Sequence, residues 1–214
     1  MKKFFRMISV LLCALMLCSV GIGAFADTRY EHFDSVFAIG DSNSMGFGLP
    51  GYKQYDSVRP YLHGVPGSYV RLTAEALGIP LDKCNTMTYP ALRAKDALYY
   101  LGGDVSMEGD AFFDIYSRDW TNALIYDNGP EQNNFINQLS AEDGGRKLVL
   151  IFAGPSDVVF SAAKLTLYSG SYSSKLAAVN AMLFQTLKNY NEFLTVFPKL
   201  LAQIRDLNPG CEIV

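Results

Sequence analysis

Two short apolar runs constrain this chain more than anything else in it. Lys147–Ala153 reads KLVLIFA and Ser35–Ile39 reads SVFAI, and each ends at a glycine, Gly154 or Gly40, followed closely by small polar residues. Runs this short, without polar alternation, belong to strands covered on both faces. Cys84–Thr88 is a weaker run of the same kind, and another begins at Cys211. Helix signals lie between them. Ser68 caps a helix through about Leu77, stopped by Gly78 and Pro80, and a second runs from about Ala91 to Leu101 before Gly102-Gly103. Tyr190, Leu194, Phe197, Leu201 and Ile204 recur at three- or four-residue spacing, one face of an amphipathic helix that Asn208-Pro209-Gly210 ends. Pro198 is expected to kink that helix or to mark a junction between two. Strands alternating with helices predict an α/β domain on a parallel sheet. Residues 104–146 fit neither pattern; their aromatics (Phe112, Phe113, Tyr116, Trp120, Tyr126) are expected either to line a pocket near the strand ends or to pack inward.

The N-terminus alters the totals. Lys2, Lys3 and Arg6 precede the uncharged apolar run Met7–Val20, and Ala24-Phe25-Ala26 supplies an A-x-A site, so residues 1–26 read as a secretory signal peptide. The uncharged stretch Met7–Ala26 is also long enough for an uncleaved anchor. Gly21, Gly23 and the small residues beside Ala26 favour cleavage, and bulky Leu17 argues against lipid attachment at Cys18. The domain, residues 27–214, is therefore expected to be secreted or at the cell surface, with membrane contact only if the segment stays. Removing the signal takes three basic residues and no acidic one, moving the net charge from −3 to −6. An acidic balance without a basic block excludes the electrostatic footprint of a nucleic-acid binder. A chain that is 50% hydrophobic and 18% charged is not disordered. Only His32, His63, Cys84 and Cys211 remain as soft metal ligands, so neither metal nor cofactor is expected.

Ligands of parallel sheets bind at the carboxyl ends of the strands. Gly40-Asp41-Ser42-Asn43-Ser44 follows the first strand there. A serine on a tight turn entering a helix exposes its hydroxyl beside first-turn amides that can hold an oxyanion. The same residues also suffice as a plain helix cap.

Val36-Phe37-Ala38-Ile39-Gly40-Asp41-Ser42 resembles the first block of the SGNH (GDSL) hydrolases, in which that serine is the nucleophile. Asn85–Asp96 (NTMTYPALRAKD) is similar to the second block, with Arg93 and Asp96 in place and Ala91 where glycine is usual. Gly154-Pro155-Ser156-Asp157 resembles the third, Gly-x-Asn-Asp, with Ser156 in place of asparagine. The helix leading into Cys211–Val214 is similar to the family's helix and fourth strand, so the resemblance spans residues 27–214 in order. It implies a three-layer, doubly wound parallel sheet with flavodoxin-like strand order 2-1-3-4. It implies Ser42 as catalytic residue, with Ser42 N–H, Ala91 N–H and Ser156 as oxyanion donors. Gly40, Asp41, Gly154 and Asp157 support the motifs, and the substrate is a small-molecule or glycan ester. That strand order would hold Cys84 and Cys211 about 14 Å apart, beyond the ~7 Å a disulfide tolerates.

The family's base and its orienting acid come from a C-terminal Asp-x-x-His, which this sequence lacks. The chain stops within its fourth strand, so a C-terminally incomplete domain, short of its last strand and helix and of low activity, is expected. The other explanation is a degenerate homologue, a non-catalytic carbohydrate- or surface-binding module on the same fold. His32 precedes the first strand, and His63, in the loop before the first helix, reads as a surface residue with a minor claim to be a substitute base. Gly46-Phe47-Gly48-Leu49-Pro50-Gly51 matches G-x-G-x-x-G, but it begins beyond the strand-to-helix turn and Pro50 interrupts any helix, so it reads as loop.

Overall fold

Strand β1 (Ser35–Gly40) is buried at every position, as its unbroken apolar run requires. After it come α1 (Ser42–Met45), α2 (Tyr69–Ala76), β2 (Cys84–Thr88) and α3 (Ala94–Tyr100). A π-turn (Phe113–Ser117) leads on to α4 (Asn134–Ser140) and β3 (Lys147–Phe152). A second π-turn (Ser156–Phe160), α5 (Ser161–Tyr168), α6 (Lys175–Leu207) and β4 (Glu212–Ile213) complete the order. This computed structural model describes residues 32–52, 65–118, 134–168 and 171–214. The signal segment, His63, Trp120 and Tyr126 lie outside the described residues.

The strands form one all-parallel sheet of order β2-β1-β3-β4, with helices around it. Gly40 is in register with both Thr88 and Phe152, so β1, β2 and β3 end at one level. Strand alternation divides the core. Phe37, Ile39, Met87 and Val149 join Leu98, Leu139, Leu200 and Ile204 from the helices in one cluster. Val36, Ala38, Cys84, Leu148 and Leu150 join Val70 and Ala74 of α2 in another. Ser68 caps α2, its hydroxyl accepting from the Arg71 N–H at 3.4 Å.

Several elements depart from expectation. Helix α3 starts at Ala94 rather than Ala91, because Ala91 has φ +61° and Arg93 is extended. Helix α6 runs unbroken through Pro198, so no junction occurs there. Its buried face is Asn189, Val196, Leu200 and Ile204, while Tyr190 and Leu194 are half exposed. Two adjacent apolar stripes run along this helix, and spacing alone did not say which one the sheet covers. Lys147, fully buried at the start of β3, donates from its ammonium to the carbonyls of Gln138, Leu139 and Ala141. It thereby satisfies the open end of α4. Part of the stretch read as irregular is therefore helix, and its Phe112 and Phe113 are buried. Cys84 and Cys211 are both buried thiols and are not joined in a disulfide. Burial pushes the Cys84 thiol up to about 11.

Candidate active site

The turns that follow β1, β2 and β3 emerge side by side, because the three strands end in register. Ser42 stands two residues past Gly40, Ala91 three past Thr88 and Gly154 two past Phe152. Asp41 is the N-cap of α1 and accepts from the Asn43 N–H at 2.9 Å and from Asn43 Nδ2 at 3.1 Å. Its other oxygen accepts from the Ser156 hydroxyl at 2.6 Å, joining the first turn to the third. Ser42 itself is partly buried, whereas Asp41 and Ser156 are buried. Tyr69 of α2 donates its hydroxyl to the buried Ser44 Oγ at 3.0 Å, fixing the inner side of α1.

Asp157 joins the third turn to the second. One carboxylate oxygen accepts from the Ala94 N–H at 2.7 Å, the other from the Gly154 N–H at 3.0 Å. Burial raises its pKa to about 6, against the pull of those two amides. The native state therefore holds this proton more tightly than the unfolded chain, whose aspartates titrate near 3.9. The stabilisation from that proton is fully present below pH about 4 and is lost as pH rises through about 6. Asp110, whose pKa is lowered, contributes the opposite trend. Subtracting the urea-midpoint profile of Asp157→Asn from the parent profile should isolate a fall between pH 4 and 6.5. A flat difference curve would refute the assignment.

Two turn positions carry left-handed backbone: Ala91 at φ +61° and Gly154 at φ +114°. A residue with a Cβ is strained there by about 1–2 kcal/mol. Ala91→Gly relieves that strain but loosens the unfolded chain, and a net gain of about 0.5–1 kcal/mol is expected. The reading is a higher urea midpoint at unchanged slope; a lower midpoint would contradict the strain at this turn.

Behind the second turn lies a buried ionic network. The Asp96 carboxylate holds Arg93 through Nη2 at 2.7 Å and Nε at 3.0 Å. Arg93 Nη1 reaches both oxygens of Asp110 at 3.1 Å, and Lys95 bridges Asp110 at 2.9 Å and Glu192 at 2.7 Å. Burial opposes the charge of Arg93, but Asp96 and Asp110 outweigh it and raise its pKa. The guanidinium also lies 4.6 Å from the Phe112 ring centroid. Sequence reading found Arg93 and Asp96 but missed Asp110 and Lys95. Asp110 is seventeen residues from Arg93 and no local pattern connects them. A cavity of about 480 Å³ opens beside this network, lined by Lys188, Gln185 and Phe112 among others. None of Ser42, Ala91 or Ser156 lines it.

The sheet edge thus brings Ser42, Ala91, Ser156, Gly154 and Asp157 into one linked set of turns. Among the described residues, no turn or loop backbone hydrogen bond is donated by the Ser42 N–H or the Ala91 N–H. The single proton of Ser156 is already donated to Asp41. His32 stands before the amino end of β1, about 20 Å of strand away, exposed and 3.3 Å from Asp34. Gly46, Gly48 and Gly51 all have positive φ in the turns after α1, and Gly46 is its C-cap. Among the described residues no group of three or more His, Cys, Asp or Glu could hold a metal ion. No protein-family model, curated protein or solved structure matches the chain.

Proposed function

We propose that the chain is an exported serine ester hydrolase of the SGNH type, on a doubly wound three-layer fold, in which Ser42 is the nucleophile. One observation carries this reading: three turns far apart in sequence meet at one carboxyl edge of the sheet. Two of them have left-handed backbone at Ala91 and Gly154, where the family uses glycine. The two core clusters, drawn from alternate residues of the same strands, support the layered fold.

In this mechanism the Ser42 hydroxyl attacks the ester carbonyl and loses its proton to a base. The carbonyl oxygen becomes an oxyanion held by the Ser42 and Ala91 N–H groups. The C–O bond then breaks, the alcohol leaves with a proton, and water hydrolyses the acyl-enzyme. Asp41 and Asp157 position the turns. Ser156 would have to release Asp41 before it could donate to the oxyanion. No histidine among the described residues stands at this edge, so slow turnover by this chain is expected. The acidic balance fits a neutral small-molecule or glycan ester, with no nucleic acid and no cofactor involved.

The test is prolonged incubation of the full chain with a fluorophosphonate, followed by peptide mapping. A single adduct on Ser42, absent from Ser42→Ala, is expected. An unmodified Ser42 would overturn the nucleophile and favour a second reading, a carbohydrate- or surface-binding module on the same fold. The Ser156 bond to Asp41, with no histidine at this edge among the described residues, favours that alternative.

A further inference from the structure

Helix α6 is far longer than the sheet it covers. Its 33 residues span about 50 Å, against about 20 Å for a six-residue strand. Because α6 leads into β4, it runs antiparallel to the strands. The Phe193 ring comes within 3.8 Å of where a Cβ on Gly154 would sit, so the helix passes the carboxyl edge of β3 at that level. Residues 175–192 extend beyond it, roughly 27 Å of helix. Their inner side is anchored by the Asn189 side chain, which donates to Ser161 Oγ at 2.6 Å.

The outer side bears Leu176, Asn180, Leu183, Leu187, Tyr190 and Leu194, all exposed. Leu183 is 58% exposed and Leu187 63%. The spacing of this stripe, 4-3-4-3-4, is that of a coiled-coil seam, and it reads the same in both directions. We propose that this stripe is an isologous dimer interface, in which α6 pairs antiparallel with α6 of a second copy of this chain. A two-fold axis crossing the stripe at the level of Gln185, midway between Leu183 and Leu187, sets Leu176 against the partner's Leu194 and Leu183 against the partner's Leu187. The same axis sets Asn180 against the partner's Tyr190. The two polar residues of the stripe thus meet each other, amide to phenol, and neither is buried against leucine.

The size fits. With Val179 and Phe184 at its flanks, the stripe offers on the order of 700 Å² per copy, near the ~800 Å² of a standard interface. An exposed apolar patch of this extent marks an interaction site. The positions flanking the seam (Ala177, Val179, Phe184, Thr186, Asn191) are uncharged. They offer no basic rim for an anionic membrane and no charge that opposes self-pairing.

Sedimentation equilibrium of the full chain between 1 and 100 µM tests this. The expected mass is twice the 23.6 kDa of the chain. The double variant Leu183→Glu/Leu187→Glu should weaken association at least 100-fold with an unchanged far-UV spectrum. Leu176→Cys and Leu194→Cys chains should cross-link under diamide when mixed, and neither should do so alone above the parent background. A parent chain monomeric at 100 µM overturns the proposal, and flotation of that monomer with phosphatidylcholine vesicles would assign the face to lipid. A dimer that survives the double variant, or cross-links within each single variant alone, overturns it equally.

Discussion

Asp96→Ala is expected to cost about 3–5 kcal/mol of stability, the loss typical of a buried ion pair broken from one side. Asp96 is fully buried and accepts from two nitrogens of the Arg93 guanidinium and from the Arg93 backbone N–H at 3.0 Å. Removing it strands those donors where water does not reach, and Asp110 is already shared with Lys95. Against a total stability of about 5–15 kcal/mol, the variant would be near unfolding at 37 °C. Asp96→Asn keeps one acceptor and should lose about half as much. Arg93→Met combined with Asp96→Leu removes both charges and should recover most of the loss, since Lys95 still neutralises Asp110. Urea denaturation at pH 7 measures all three. A loss below 1 kcal/mol for Asp96→Ala would mean the pair is not buried as described.

Gly40→Ala should cost about 2–3 kcal/mol, at the upper end of overpacking penalties. The backbone of Gly40 is ordinary strand, so space decides. An added Cβ would lie 2.0 Å from Ser44 Oγ, 2.8 Å from Ser44 Cβ and 3.2 Å from Phe152 Cβ. Ser44 is held by Tyr69 and fully buried, so α1 would have to shift as a unit. Adding Ser44→Gly removes the two closest contacts and should restore part of the loss, even though glycine within a helix costs about 1 kcal/mol. Equal stability of Gly40→Ala and the parent would show that α1 is looser than its contacts indicate.

What could be read in advance was what is local. The strand at Ser35–Gly40, the Ser68 cap and the apolar run from Lys147 each carry their instruction within a few residues. Ser42 was legible because it follows such a strand; Ala91 and Gly154 were picked out only by the resemblance. The rest depends on partners distant in sequence. Ser156 looked like a free donor until Asp41, 115 residues away, was found to take its proton. Nothing near Lys147 in sequence shows how a lysine starts a buried strand; three carbonyls of the preceding helix end surround its ammonium. The inner face of α6 was legible only in part: Ile204 of the stripe read from sequence is buried and Phe197 packs on the core, while Tyr190 and Leu194 are exposed. Helical period fixes which residues share a stripe, and tertiary contact alone chooses the buried one.

The position of β1 in the sheet has a consequence for solvent exchange. It is flanked by β3 over all six of its residues and by β2 from Val36 to Gly40, whereas β4 pairs over only two residues at the edge. Amide protons in such a central strand exchange with deuterium only when the whole domain opens, while edge strands breathe at lower cost. The Ser42 turn grows directly from that central strand. An opening that leaves the sheet intact therefore keeps in place the strand end from which this turn projects.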